Sequence, residues 1–508
     1  MEAPKRLGRR IGVIDIGSNS VRLVVYHLFG SAFFPTYNEK ALAGLGRSLR
    51  ETGRLSEDGK RETLEALRRF AHIVRARDLS PVLIGATAAM RDAEDSGAFR
   101  DQVLEATGFD ITAIPGEEEA RLAALGVLAG DRRASGLACD LGGASLEIVP
   151  IRHGQQSGEG VSMRLGPFQV VGDDLRAEFD PAVQRPIVAE AIAGIGGERR
   201  TTLHLIGGAW RNLALIHQEK TGYPLRVLQG YRIGAQELLP FLSWAYGAGR
   251  DEVLEWPGIS SRRRETLPYG ALVLEEMLTR FQPEEVRISA TGLREGLVVD
   301  YMGDLRTTRT PLVDGCRDIA RGNLQAEGLA RPLGRFLAPI DDHLPRAFEA
   351  GNEARLREAA RHLAGMGRGL HPDYRAELVF ENVLYAPLSG LTHAERAYLA
   401  HILHASYTSS KATSNEAAMD RLLSPEQRRA ARAYGAAIRL GEAVSGRAVD
   451  LLSKLELVWD GVEVQLSALP GYEDLLGGRA VGRLSRLNST LSRDTTSQDS
   501  EDEDDGAS

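Results

Sequence analysis

Along this chain the period of apolar and polar positions changes repeatedly, and Gly and Pro mark the changes. Two β-type runs, Ile11-Gly-Val-Ile-Asp15 and Leu137-Ala-Cys-Asp140, end in an acid. Each passes through a short run of small residues, Gly17-Ser18-Asn19-Ser20 and Gly142-Gly143-Ala144-Ser145, and resumes as a second β-type run, Val21–Tyr26 and Leu146–Ile151. Both read as strand, tight turn, strand. After the first, Ser56 to Arg77 has helical spacing through Leu64, Leu67, Ile73 and Val74. The pattern then predicts a strand from Pro81, a helix over Phe99–Thr107 ended by Gly108, a strand over Asp110–Pro115 and a helix over Glu117–Leu128. The second hairpin opens a similar alternation that runs to about Thr307. Within it, Leu203–Gly208 and Val286–Gly292 each read as a strand, a glycine turn and a helix start. Alternation of this kind argues an α/β fold, and two halves with matching openings argue a duplication closed around a cleft.

Beyond Pro311 the spacing becomes helical: Ala354–Leu363, Ala376–Leu384, Thr392–His404 and Ser424–Val444. Thr392-His-Ala-Glu395 and Ser424-Pro-Glu-Gln427 have capping-box spacing. Leu455–Leu466, with Asp460-Gly461 at its centre, is a hairpin signal. The expected organisation is a first lobe over 1–132, a second over 133–307, a helical domain over 308–480 and a tail over 481–508.

Composition narrows the function classes. A chain of 508 residues is too long for one core. The net charge of −8 arises almost wholly from Asp494–Ser508, which holds seven acids and no Lys or Arg, so the body is close to neutral and the acidic end reads as a disordered solvating segment. The cations are overwhelmingly Arg, whose fork suits phosphate. Two cysteines cannot build a disulfide framework, and Cys139 sits in a predicted buried strand. No apolar stretch is long enough for a membrane helix and no signal-peptide core is present, so a cytoplasmic protein with neither membrane nor nucleic-acid polymer as partner is expected.

The two hairpins also carry the candidate chemistry. Glycine at such a turn can adopt positive φ and aim successive N–H groups into one concavity, Ser and Asn add donors, and Asp can hold Mg²⁺ beside a phosphate. A dinucleotide-binding turn would be followed by a helix rather than a strand, and no Gly-x-x-x-x-Gly-Lys-Ser/Thr occurs. The architecture these features fit is the duplicated actin-like, sugar-kinase and chaperone ATPase two-lobe fold with a mostly α-helical C-terminal domain.

Six ordered motifs make the resemblance specific: Asp15-Ile-Gly-Ser-Asn-Ser20, Ala86-Thr87-Ala-Ala-Met-Arg91-Asp-Ala, Pro115-Gly-Glu-Glu-Glu119-Ala-Arg-Leu122, Asp140-Leu-Gly-Gly143, Gly207-Gly-Ala-Trp-Arg211 and Leu293-Arg-Glu-Gly296. Over about residues 8–305 the chain resembles the Ppx/GppA phosphatases, the exopolyphosphatases and guanosine pentaphosphate phosphohydrolases, and its remainder resembles the C-terminal domain of the longer members. The resemblance implies Glu119 as the catalytic carboxylate. It implies Asp15, Asp140 and, second to them, Glu147 as metal and water-network acids. Phosphate-facing roles fall to Gly17, Ser18, Asn19, Ser20, Thr87, Arg91, Gly142, Gly143 and Ser145. Mg²⁺ or another divalent ion is the implied cofactor, with room for a stimulating monovalent cation. The implied partners are inorganic polyphosphate, with guanosine pentaphosphate or tetraphosphate as the nucleotide alternative, and a second copy in a homodimer.

Two positions depart from the family pattern: Ala144 stands where a third Gly is common, and Leu146 where Thr is common. The helical domain resembles metal-dependent HD hydrolases, yet the chain contains no His-Asp dipeptide. His362, His371, His393, His401 and His404 therefore read as core or surface residues rather than a second centre. The reading is an exopolyphosphatase that hydrolyses terminal orthophosphate. An actin-like sugar kinase and a binding-only nucleotide sensor are the rivals from other classes; the retained Glu119, Asp15 and Asp140 count against the latter.

Overall fold

The computed structural model describes residues 9–195, 202–303, 310–321 and 328–492. It divides into two compact units, one of residues 1–315 with 387–393 and one of 316–386 with 394–508. The first unit holds two sheets. One is built from β1 (Arg9–Ile16), β2 (Val21–Phe29), β3 (Ala32–Ala41) and β4 (Val82–Ala86) in the order β3-β2-β1-β4. The other contains β5 (Gly136–Leu141), β6 (Leu146–Arg152), β7 (Gln155–Gln156), β8 (Val161–Met163), β9 (Thr202–Gly207), β10 (Arg232–Gly234) and β11 (Glu285–Ile288), in the order β10-β11-β9-β5-β6-β7 with β8 also on β6.

In both sheets the strand carrying the turn-side Asp pairs antiparallel with its hairpin partner on one side and parallel with a later strand on the other. This is the duplicated actin-like arrangement. The predicted strand over Asp110–Pro115 contracts to one bridge, Ala113 on Ala86. Beyond Ala113 the Ile114 N–H donates to the Ala86 carbonyl at 2.7 Å, and Pro115 offers no N–H to extend the ladder.

The division of the sequence at residue 132 is not the division of the packing. The Gly116–Gly130 helix, expected in the first lobe, lays Ala120, Ala123, Ala124 and Val127 against Ala138, Val149 and Ile151 of the second sheet. The Leu293–Met302 helix, expected in the second, buries Val298 and Met302 against Ile11, Val13 and Val24 of the first. The two helices exchange places and meet. At the meeting, a Cβ on Gly126 would lie 2.2 Å from the Gly292 carbonyl oxygen, and one on Gly296 would lie 1.9 Å from that of Leu122. Only glycine permits this approach, and a periodicity argument sees neither the exchange nor the contact.

In the second unit, helices Ala350–Leu363, Arg375–Tyr385 and Pro425–Val444 and the β12 (Leu455–Trp459) and β13 (Val464–Ala468) hairpin fall where the spacing placed them. Ser424 and Gln427 close the expected capping box. The tail expected from 481 is a correction: Gly478–Leu491 is a helix, with Ala480 and Leu487 buried, because its apolar positions recur at helical spacing. The acidic residues from 494 on lie outside the described residues. His401 is buried and its pKa is pushed down to about 3 by burial, while His404 faces Glu377 at 3.0 Å and His371 is exposed. No described helix is long and apolar enough to cross a membrane.

Gly296→Ala is expected to lower stability by roughly 1–3 kcal/mol through overpacking. Gly97→Ala, at a helical position with open space around it, should raise it by about 0.4–1 kcal/mol. Urea unfolding of both variants checks the pair.

Candidate active site

The two hairpin turns are built alike. The Gly17 N–H donates to the Ser20 carbonyl at 3.0 Å, and the Gly142 N–H donates to that of Ser145 at 2.9 Å. Neither Gly17, Gly142 nor Gly143 takes positive φ, so the nest expected from glycine is not how these turns work. They close through the first glycine's N–H instead. The N–H groups of Ser18, Asn19, Gly143 and Ala144 are left without an acceptor among the described residues. Ala144 is accommodated for the same reason, since no left-handed backbone is needed there. The tips face each other: a Cβ on Gly143 would lie 3.4 Å from that of Ser18.

Strand register then sets what flanks the tips. Across the first sheet Asp15 pairs with Arg22 and Arg22 with Lys40, so the three stand in a row on one face. Across the second, Asp140 pairs with Glu147 and Glu147 with Ser162. The two hairpins thus place opposite charges at matching positions, Arg22 beside one Asp and Glu147 beside the other.

Both rows open onto one cavity of about 430 Å³. Asp15, Gly17, Ser18, Asn19, Ser20, Thr87, Glu119, Asp140, Gly142, Gly143, Ser145 and Glu147, all inferred from sequence, line it. Arg91 does not: its Nη1 donates to Glu119 Oε2 at 2.9 Å and to the Ile114 carbonyl at 3.2 Å, which makes it a holder of Glu119 rather than part of the wall. Leu146, where a hydroxyl was missed, is wholly buried on β6.

Glu119 stands in the first turn of the Gly116–Gly130 helix and is only 8% exposed. Burial pushes its pKa up to about 7 against the pull of Arg91, with Asp140 and Asp15 adding repulsion. Asp140 is pushed up to about 6, again chiefly by burial. Asp15 and Glu147 are raised by the same cause; Glu147, which accepts from Ser162 Oγ at 2.8 Å, also feels Glu119 and Asp140. Four acids share one cleft and repel one another.

Among them stand cations that the sequence motifs did not assign: Arg22, Lys40, Arg211, Arg263 and Arg294 line the same cavity. Burial, then Arg263 and Arg22, bring the Lys40 pKa down to about 7. Arg22 is brought down to about 10 by burial and Arg294. Arg211 follows Gly207, whose φ of 107° and contact with the Leu141 carbonyl admit no side chain, and donates to the carbonyls of Gly207 at 2.9 Å and Ala290 at 3.0 Å. Arg294 Nη1 lies 3.4 Å from Asp15 Oδ2. Arg211 and Arg294 stood inside the recognised motifs; Arg22 could have been found by placing it opposite Asp15 in the hairpin. Lys40 and Arg263 had no such signal.

As a metal set, Asp15, Asp140 and Glu147 do not converge: no three His, Cys, Asp or Glu among the described residues come close enough to share an ion. A divalent ion still fits through fewer ligands. No described protein group donates to the Asp140 carboxylate, and the acids' mutual repulsion favours a cation beside them. Mg²⁺ commonly binds in that manner, through one or two carboxylates with water and substrate oxygens completing the shell.

Known proteins resemble this chain over most of its length. The model of the Ppx/GppA phosphatase family matches residues 24–305, and that of the exopolyphosphatase C-terminal region matches 321–495. Exopolyphosphatase 1 of Mycobacterium tuberculosis is 29% identical over 328 residues, which cover 60% of this chain and 91% of that protein. The fold is shared with the crystal structure of the Aquifex aeolicus Ppx/GppA family member (TM-score 0.51, 22% identity, 60% of this chain and 100% of the other). It is shared too with an exopolyphosphatase from Cytophaga hutchinsonii (TM-score 0.52, 22% identity, 59% and 99%).

The raised Glu119 pKa gives a pH signature. The folded state keeps this proton up to about pH 7 whereas the unfolded chain releases it near 4.5, so across that window the folded state binds more protons and loses stability as pH rises. Glu119→Gln lacks this loss. In metal-free buffer its melting temperature, measured against wild type, should shift in the variant's favour between pH 4.5 and pH 7 and level off above.

Proposed function

Because this chain belongs to the Ppx/GppA phosphatase family, we propose that it is an exopolyphosphatase that releases terminal orthophosphate from linear inorganic polyphosphate. The observation that carries the reading is one cavity lined both by Glu119, Asp140 and Glu147 and by Arg22, Lys40, Arg211, Arg263 and Arg294. Such a site offers a carboxylate to activate water and cations to hold a chain of negative charges.

In this reading Glu119 orients a water and accepts its proton as the water oxygen bonds to the terminal phosphorus. The P–O bond to the bridging oxygen breaks, and the shortened chain leaves with that oxygen. A carboxylate with a pKa near 7 suits that task at neutral pH, and Arg91 fixes its rotamer. The N–H groups at Ser18, Asn19, Gly143 and Ala144 serve the oxygens of the terminal phosphoryl group as charge builds there. The cations compensate the phosphates behind it. Mg²⁺, held by Asp140 with or without Asp15, would offset charge on the phosphoryl oxygens.

Guanosine pentaphosphate is the second substrate class the same reactive centre would take. The wall favours the simple chain. Its single aromatic among the described lining residues, Phe168, already packs beside Gly143 and beneath the Arg47 guanidinium and is poorly disposed to stack a base. The working form is read as a cytoplasmic homodimer, on the resemblance rather than on a contact.

Glu119→Gln should lower kcat on long-chain polyphosphate by 10²-fold or more, measured as orthophosphate released with Mg²⁺ present. Wild-type release from guanosine pentaphosphate alone would reverse the choice of substrate. Lys40→Ala should raise KM by about tenfold with a smaller effect on kcat, and the penalty should shrink above pH 7, where wild-type Lys40 gives up its charge before substrate binds.

A further inference from the structure

The helical unit has a second charged cavity, remote in sequence from every catalytic motif. It measures about 320 Å³ and lies among the end of the His393–Tyr407 helix with its following loop, the Pro425–Val444 helix and the Gly478–Leu491 helix. Its wall carries Lys411, Arg429, Arg432, Arg439, Arg483 and Arg486 against one acid, Glu426, with the hydroxyls of Thr408, Ser409, Ser410, Ser489 and Thr490 between them. Like charges at this density oppose folding unless an anion sits among them. Their mutual repulsion is visible in Arg439, whose pKa burial, Arg483 and Arg486 bring down to about 10.

We propose that this cavity is a polyanion seat whose occupant is the chain's own acidic segment 499–505. Three observations lead there. The Gly478–Leu491 helix is itself a wall of the cavity, so the chain leaves it at the rim: Ser489 and Thr490 line the space, and Arg429 Nη2 holds the Leu491 carbonyl at 3.0 Å. Six of the seven residues in 499–505 are Asp or Glu, opposite in sign to the cations that dominate the wall. The intervening stretch, 493–498, reaches at most about 20 Å when extended, which is far enough to turn back into the cavity and too short to wander from it. A tether of that length holds the acids near the wall at an effective concentration of order millimolar. Free phosphate chains would meet this seat already filled and would bind there only by displacing the segment, which separates it from the catalytic cleft in what it admits.

Carbodiimide coupling of the full-length protein tests this, because it joins carboxylates to amines in contact and Lys411 is the one lysine on the wall. The expected products, mapped by mass spectrometry, join the 499–505 acids to Lys411 and pass over Lys220 and Lys454. Their yield should fall several-fold between 50 and 500 mM KCl, and likewise in the full-length Arg483→Gln/Arg486→Gln variant. A second measurement does not depend on how those variants fold: a labelled peptide of residues 493–508 should bind full-length protein whose 499–505 acids are changed to amides at least tenfold more tightly than it binds wild type. Coupling spread evenly over Lys220, Lys411 and Lys454, or equal peptide affinity for both proteins, would overturn the proposal.

Discussion

At the crossing of the Gly116–Gly130 and Leu293–Met302 helices, backbone meets backbone, and the candidate site depends on that contact. Glu119 lies one turn before Leu122, whose carbonyl the Gly296 position abuts, and Arg294 lies two residues before Gly296. The acid and one of the principal cations therefore ride on the two helices whose separation glycine fixes. Each helix is also anchored by apolar packing to the sheet formed by the other half of the sequence. Widening the crossing by one methyl group would move both charges and both sheets together, because packed interiors transmit displacement rather than absorb it.

The cleft is also electrostatically strained in a directed way. Burial raises the pKa values of four acids, with repulsion from Asp140 and Asp15 adding to it at Glu119 and from Glu119 and Asp140 at Glu147, while burial and neighbouring cations lower those of Arg22 and Lys40. Such an arrangement costs stability in the empty protein and is relieved by a ligand that brings a cation to the acids and anions to the bases. The proposed substrate, with a divalent ion, would do both at once. Perturbed titration of this kind clusters where chemistry is done. The Arg91–Glu119 pair adds a tie across the halves, since Arg91 belongs to the Ala88–Asp92 helix after β4 while the helix of Glu119 packs on the second sheet.

The helical unit is a different case. Its helices follow the spacing of their apolar residues, and its histidines lie in core or surface positions. Its basic cavity could not be read from the chain, because Lys411, Arg429, Arg439 and Arg483 come from three separate segments and each looks like an ordinary solvated charge in isolation.

By itself the sequence determined the two hairpins, the alternation that makes the first unit α/β, the helical character beyond residue 311, and nearly every acid and turn residue that lines the cleft. These are local matters: a period of two or of 3.6, a glycine at a bend, a carboxylate at a strand end. Only the tertiary structure decided that the helices bearing Glu119 and Arg294 change places between the sheets, that Arg91 holds Glu119 instead of facing the cavity, and that Lys40 and Arg263 join Arg22 on the wall. Those outcomes rest on which surfaces pack and which strands pair across long stretches of chain. No local pattern encodes a contact whose two sides are chosen by the burial of everything between them.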